Sequence, residues 1–217
     1  MQVHLGAAAA AVRITHMLVA LVTGFSAGSS SASENAEAKR LRSAVEECRT
    51  AASPMHGRTV QLFETTNAVC FIGRFERFIS ESILPKLSDN RKVFVAKSPG
   101  GYVIDAARVG IHVFEKRIDV AVFDFCFSAC ANYVFLAGRR KYVAEGTLLA
   151  WHGAPRTEKL TAGEKVLDGD GRLALTRQLS DCFFRKAGIS RVLATDPNTA
   201  NPDYPAWQAR MNSNRRN

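Results

Sequence analysis

Apolar and polar residues alternate along this chain in blocks that have the periods of strands and helices. Residues 59–63 alternate one by one, and most later strand candidates are unbroken apolar runs, as expected for strands buried on both faces. The predicted strands are 59–63, 68–72, 92–96, 118–125, 141–143 and 148–151. The predicted helices are 34–52, 75–87, 102–116, 129–137 and 173–187.

This order predicts an α/β fold in which a largely parallel sheet is covered by helices. With 217 residues the chain can bury one substantial core, and we place a single domain at residues 59–197. A polar segment, 33–58, precedes the domain, and an extended basic tail, 198–217, follows it. The polar, glycine-bearing segment 156–172 is typical of an exposed excursion, either a lid or a contact surface.

The amino-terminal segment 1–32 has the layout of a secretory signal peptide. It carries one charge, Arg13, followed by the apolar run 17–25 and a stretch of small residues. We therefore predict an exported protein, periplasmic or secreted, with cleavage after Ala27 or Ala32. An uncleaved membrane anchor spanning 5–25 is the alternative, and it would associate the protein with the membrane.

The formal net charge of +9 is concentrated in basic clusters at residues 39–42, 139–141 and 210–216. Such charge favours acidic partners in general. These clusters are scattered along the sequence, and no aromatic residues interleave them as a nucleic-acid platform would require. We predict no binding to nucleic acid.

Two of the five cysteines, Cys126 and Cys130, lie on either side of Ser128. A disulfide between them would stiffen the turn that carries the serine. Two buried free thiols are the alternative. Both interpretations stay open, because five is an odd number and the pairing does not follow from sequence.

Ser128 follows a predicted strand and opens a predicted helix, where free N–H groups favour a negative charge. A serine hydroxyl becomes a useful nucleophile when an imidazole accepts its proton and N–H groups stabilise the oxyanion. His152 ends a later strand, and the turn Ser98-Pro-Gly-Gly101 ends an earlier one. The plainer interpretations are an N-cap serine, a core histidine and an ordinary loop.

Four segments in this order resemble the Clp protease and crotonase superfamily, most closely its exported bacterial Clp-protease-like branch. They are KSPGG at 97–101, CFSACA at 126–131, RRKYV at 139–143 and WHG at 151–153. The resemblance covers about 59–196, and the 24 positions between Ser128 and His152 match the family's spacing of nucleophile and base. It implies a superhelix of stacked ββα units.

The resemblance also implies roles for individual residues. Ser128 would be the nucleophile and His152 the base, while Gly100 and the N–H of Ala129 would form the oxyanion hole. Gly101 would contact the substrate. An aspartate should complete the triad, and the family's order points to Asp196.

Some features keep this assignment open. Asp181 and Asp203 are rivals to Asp196 as the third triad member. The family has a glycine where this chain has Cys126, and a glutamine where it has Gly153.

We therefore predict a serine hydrolase of the peptidase type that acts on a peptide or protein substrate, with no metal and no organic cofactor. The resemblance further implies a homo-oligomer. A catalytically inactive scaffold with the same fold is the alternative. A third hypothesis is acyl-thioester chemistry of the crotonase kind. The pairing of a serine with a histidine argues against it.

Overall fold

The computed structural model describes residues 28–52, 60–88, 92–151 and 171–192, with side chains of the first helix from residue 35 onward. Strands and helices follow one another through most of these ranges, as the sequence predicts. The helices are α1 (Gly28–Ala51), α2 (Ile79–Lys86), α3 (Val103–Glu115), α4 (Cys130–Phe135) and α5 (Arg172–Ala187). The strands are β1 (Gln61–Glu64), β2 (Ala68–Ile72), β3 (Val93–Ser98), β4 (Val120–Phe127), β5 (Lys141–Val143) and β6 (Leu148–Ala150).

The six strands form one mixed sheet in the order β1-β2-β3-β4-β5, and β6 also pairs with β4. Strands β1 and β2 are antiparallel, while β2, β3, β4, β5 and β6 pair in parallel. The prediction of an α/β fold with a mostly parallel sheet is therefore confirmed. The carboxyl ends of parallel strands lie at one edge of a sheet, where α/β proteins commonly bind ligands.

Both faces of the sheet are covered, which explains the unbroken apolar runs in the central strands. On one face, Leu41, Val45 and Cys48 of α1 pack against alternate residues of β2, β3 and β4. The opposite residues of the same strands, among them Phe71 and Phe94, form a larger core with the other helices. All five residues of β2 are buried, so neither of its faces is polar.

Helix α2 begins at Ile79, four residues later than the apolar spacing predicts. The cause lies in the residues before it. Phe75 forms an isolated parallel bridge with Gly101, and Phe78 has a left-handed backbone with φ 69°. Neither conformation can belong to an α-helix. Helix α1 already includes Gly28, the first described residue, whereas the sequence predicts a helix from residue 34.

Strand β4 is irregular just before the predicted nucleophile. Its pairing with β3 steps from Ala96↔Val122 to Ser98↔Cys126, and Asp124 between these pairs has φ 58°. Such a bulge re-aims the end of a strand. The helix that follows, α4, is π-helical rather than α-helical, a form that is frequent at functional sites.

Two of the basic clusters, scattered in the sequence, meet around the buried carboxylate of Asp119. Arg139 donates two hydrogen bonds of 2.8 Å to it, and Arg40 of α1 donates another. Burial raises the pKa of Asp119, but these hydrogen bonds and charges outweigh burial and hold the pKa below its usual 3.8. The cluster at 210–216 lies outside the described residues.

A disulfide between Cys48 and Cys70 ties α1 to β2. Across the described ranges, none of the helices combines the length and apolar character needed to cross a bilayer. The predicted signal run 17–25, residues 156–170 of the predicted excursion and the whole basic tail 198–217 lie outside the described residues.

Candidate active site

Ser128 lies in a sharp turn between the end of β4 and the start of α4. It is half-buried and has φ 55°, a left-handed conformation that is uncommon for a residue with a side chain. Its N–H donates a hydrogen bond of 2.9 Å to the carbonyl of Ala150 at the end of β6. Its own carbonyl accepts a 2.7 Å hydrogen bond from the N–H of Asn132. The backbone of Ser128 is therefore held on both sides.

Gly100 lies directly against this turn. A Cβ atom added to Gly100 would lie 2.7 Å from the Cβ of Ser128 and 2.9 Å from the N atom of Ala129. It would also lie 2.6 Å from the carbonyl oxygen of Phe127. Gly100 has φ +88° as well, so both the space and the backbone conformation require glycine here. The tertiary structure thus brings together Gly100, Ser128 and Ala129.

The backbone N–H groups around Ser128 differ in whether they already donate a hydrogen bond. The N–H of Gly100 donates to the hydroxyl oxygen of the buried Ser98 at 3.1 Å. By contrast, within the described ranges no atom accepts a hydrogen bond from the N–H of Gly101 or of Ala129. Gly101 follows Gly100 directly, so two free donors flank the serine turn.

The glycine turn is held in place by the extended segment before α2. Phe75 donates its N–H to the carbonyl of Gly100 at 2.9 Å, and Tyr102 donates its N–H to the carbonyl of Phe75 at 2.7 Å. In this parallel bridge, Phe75 bonds to the backbone groups of Gly100 and Tyr102 on either side of Gly101. The N–H of Gly101 points away from Phe75, so Phe75 does not accept a hydrogen bond from it.

Cys126 and Cys130 form a disulfide across Ser128. This outcome decides between the two interpretations that the sequence left open. The bridge joins the last part of β4 to the first residue of α4, so it closes the turn that carries the serine. Cys182 is the free cysteine among the described residues.

The predicted base His152 and the predicted aspartates Asp196 and Asp203 lie outside the described residues. Asp181 is described, and its carboxylate pairs with Arg185 at 3.0 Å and with Arg191 at 3.6 Å. The Nε2 atom of His112 lies 3.1 Å from the carbonyl oxygen of Leu87, as expected for a structural histidine.

Two features of the site were not predicted from the sequence. Ser98 was treated as part of a turn, yet its hydroxyl accepts the hydrogen bond of Gly100. The free N–H of Gly101 was also missed, because the pairing of Phe75 with the glycine turn has no local sequence signal. The Pro99 that precedes the glycines indicates only that Ser98 is extended.

No protein-family model matches this chain, and no curated protein sequence matches it significantly.

Proposed function

We propose that this protein is a serine hydrolase of the peptidase type, with Ser128 as its nucleophile. The observation that carries the proposal is the conformation of Ser128 beside two free N–H groups. A serine in a left-handed backbone between a strand and a helix costs about 1–2 kcal/mol. Hydrolases of other folds use such a strained turn to expose a nucleophilic hydroxyl.

The free donors support an oxyanion hole. Ala129 offers the N–H that follows the nucleophile, and the glycine turn offers the second donor. Because the N–H of Gly100 is engaged by Ser98, the free N–H of Gly101 is the better candidate for that role. In this assignment the role of Gly100 is to let the glycine turn pack closely against the turn that carries Ser128.

The position of His152 in the sequence supports its proposed role as the base. Ser128 is hydrogen-bonded to Ala150 at 2.9 Å, and His152 follows Ala150 by two positions in the sequence, which supports His152 as the partner of Ser128. We propose His152 as the base and keep Asp196 as the residue that orients it.

The reaction would proceed in two steps. The Ser128 hydroxyl forms a bond to the substrate carbonyl carbon while its proton passes to His152, and the amine leaves with that proton. A water molecule then loses a proton to His152 and hydrolyses the acyl-enzyme, which returns the proton to Ser128. The tetrahedral oxyanion of each step would accept hydrogen bonds from Ala129 and Gly101.

We further propose that the domain belongs to the Clp protease and crotonase superfamily. The parallel strands, and a glycine turn at the carboxyl end of β3 beside the serine turn after β4, support this proposal. The two disulfides support export to an oxidising compartment, since disulfides are rare in the cytosol. A homo-oligomer and a peptide or protein substrate complete the proposal.

The alternative is an inactive scaffold. Such a scaffold needs the packed core but has no use for a strained serine or for unengaged N–H groups. Both features therefore favour the enzyme.

A fluorophosphonate probe tests the proposal, because it phosphonylates activated serine hydroxyls. We expect labelling of the purified protein at Ser128, no labelling after Ser128→Ala, and unchanged labelling after Ser190→Ala, which alters an exposed serine. Circular dichroism should show that Ser128→Ala stays folded. Labelling that survives Ser128→Ala would contradict the assignment.

A further inference from the structure

A groove of about 810 Å³ lies against the second glycine of the glycine turn. Gly101 lies in its wall, together with Tyr102 and Val103 from the start of α3. The segment before α2 contributes Arg74, Glu76 and Arg77. A substrate whose carbonyl lies at the N–H of Gly101 would therefore have part of its chain in a groove that contains two arginines.

Arg74 lies against the proposed oxyanion donor itself. A Cβ atom added to Gly101 would lie 2.8 Å from the Cγ of Arg74, so the arginine side chain crosses directly over this glycine. Gly101 has φ +136°, and its missing side chain leaves the space that the stem of Arg74 occupies. The aliphatic part of the Arg74 side chain therefore packs against Gly101, the residue that follows Gly100.

Arg77 is braced by two aromatic rings. Its guanidinium carbon lies 5.4 Å from the ring centre of Phe78 and 5.8 Å from that of Tyr102. Phe78 is 60% exposed and has φ 69°, a strained conformation for a bulky residue. Strain of this kind concentrates at functional sites.

Neither guanidinium is neutralised within the described part of the chain, where no carboxylate lies within ion-pair distance of Arg74 or Arg77. By contrast, Lys97 of β3 is paired with Asp124 at 2.6 Å. Glu76 is the one acidic residue among the described residues that line the groove, and its charge opposes an anionic ligand.

We propose that Arg74 and Arg77 form a subsite for a carboxylate on the acyl portion of the substrate. The substrate class is an acyl donor with a carboxylate a few bonds from the reacting carbonyl, such as a peptide with an acidic residue beside the cleaved bond. This inference rests on the proposed hydrolase function.

Two ester substrates of similar chain length test the preference, namely p-nitrophenyl butyrate and mono-p-nitrophenyl glutarate, of which the second alone carries a carboxylate. We expect kcat/KM to favour the glutarate ester. Arg74→Gln and Arg77→Gln should each reduce that preference about fivefold, since each removes one exposed ionic contact. The readout is the ratio of the two kcat/KM values within each variant, and 0.5 M salt should weaken the preference.

Two further variants sharpen the test. Glu76→Gln should increase the preference for the glutarate ester, because it removes the opposing charge. Arg108→Gln, which alters an exposed arginine on α3 outside the groove, should leave it unchanged. An unchanged preference in the Arg74→Gln, Arg77→Gln double variant would overturn the proposal.

A binding measurement separates this proposal from the hydrolase proposal. In Ser128→Ala protein, the arginine side-chain N–H signals of Arg74 and Arg77 should shift on titration with glutarate, by nuclear magnetic resonance. This result would support the subsite even if no ester were hydrolysed and Ser128 were never labelled. Absence of any shift, or a larger shift with inorganic phosphate at equal concentration, would overturn the carboxylate assignment.

Discussion

The N–H of Ser128 donates a hydrogen bond of 2.9 Å to the carbonyl oxygen of Ala150. This bond joins the turn after β4 to the end of β6. The strand that leads to Trp151 and His152 is therefore attached to the turn that presents the serine, although the two are far apart in sequence. Gly100 approaches the same turn from β3, so three strand ends meet at the turn that carries Ser128.

The contact between Gly100 and Ser128 predicts a large effect for Gly100→Ala. Its Cβ would lie 2.6 Å from the carbonyl oxygen of Phe127, so one of the two turns must move. We expect a loss of about 3 kcal/mol of unfolding free energy, together with loss of fluorophosphonate labelling.

Gly146→Ala is the matched control. Gly146 also has a positive φ, of +75°, but no atom lies within 4 Å of an added Cβ. We expect a cost of about 1 kcal/mol from backbone strain alone, with labelling retained. Equal costs in urea unfolding of the two variants would contradict the close approach of Gly100 to Ser128.

Removal of either disulfide should lower stability, but only removal of the bridge between Cys126 and Cys130 should slow labelling. Cys48 and Cys70 are separated by 22 positions, so replacing both with alanine should cost roughly 3 kcal/mol while labelling of Ser128 continues. Cys126 and Cys130 are separated by 4 positions, and their loss should cost only about 2 kcal/mol. This second change should slow labelling severalfold, because it frees the serine turn.

The labelling rate and the urea midpoint of each double variant measure these effects. A slower labelling rate in the Cys48→Ala, Cys70→Ala variant than in the Cys126→Ala, Cys130→Ala variant would refute the positioning role of the second bridge.

The lowered pKa of Asp119 predicts that the free energy of unfolding decreases in acid. Its folded-state pKa lies below the usual 3.8, so its contribution is present above about pH 4 and is lost as the pH falls through the folded-state pKa. Asp119→Asn should cost about 2–4 kcal/mol at pH 7, since it leaves Arg139 and Arg40 without their buried partner.

The control for Asp119 is Glu64→Gln, which alters an exposed carboxylate that pairs with Lys86 and Lys92. Its cost should be below about 1 kcal/mol. Urea unfolding of both variants from pH 3 to pH 7 provides the measurement. A steep acid dependence that persists in Asp119→Asn would show that another group is responsible.

The raised pKa of Tyr133 predicts that the free energy of unfolding decreases in alkali. Burial raises its pKa to about 12 from 10.0, and its hydroxyl lies 2.6 Å from that of Ser180. The neutral tyrosine is thus favoured in the folded state, so its contribution is full below pH 10 and declines as the pH rises towards 12.

Tyr133→Phe should reduce this decline and cost about 1–2 kcal/mol at pH 7, since Ser180 loses its buried partner. The double variant Tyr133→Phe, Ser180→Ala should recover part of that cost. Unfolding curves at pH 7 and pH 11 test both statements, and an identical alkaline decline in Tyr133→Phe would exclude Tyr133 as the cause.

The local elements follow from the sequence because their signals are local. The apolar run 68–72 becomes β2 without change of boundary, and α5 ends at Ala187, as predicted, before Gly188 with φ 64°. The strand-to-helix junction at Ser128 and the glycine turn at 98–101 were likewise visible as patterns.

Sequence patterns were sufficient to identify an α/β chain, Ser128 as the candidate nucleophile and the glycine turn at 98–101. The pairing of Cys126 with Cys130, the contacts of Asp119 with Arg40 and Arg139, and the approach of Gly100 to Ser128 became visible in the folded structure alone. The same holds for the hydrogen bond from the N–H of Gly100 to Ser98, whereas the N–H of Gly101 has no acceptor among the described residues. Periodicity and turn chemistry act over a few neighbouring residues, whereas these contacts depend on strand register and on bulges that join distant segments.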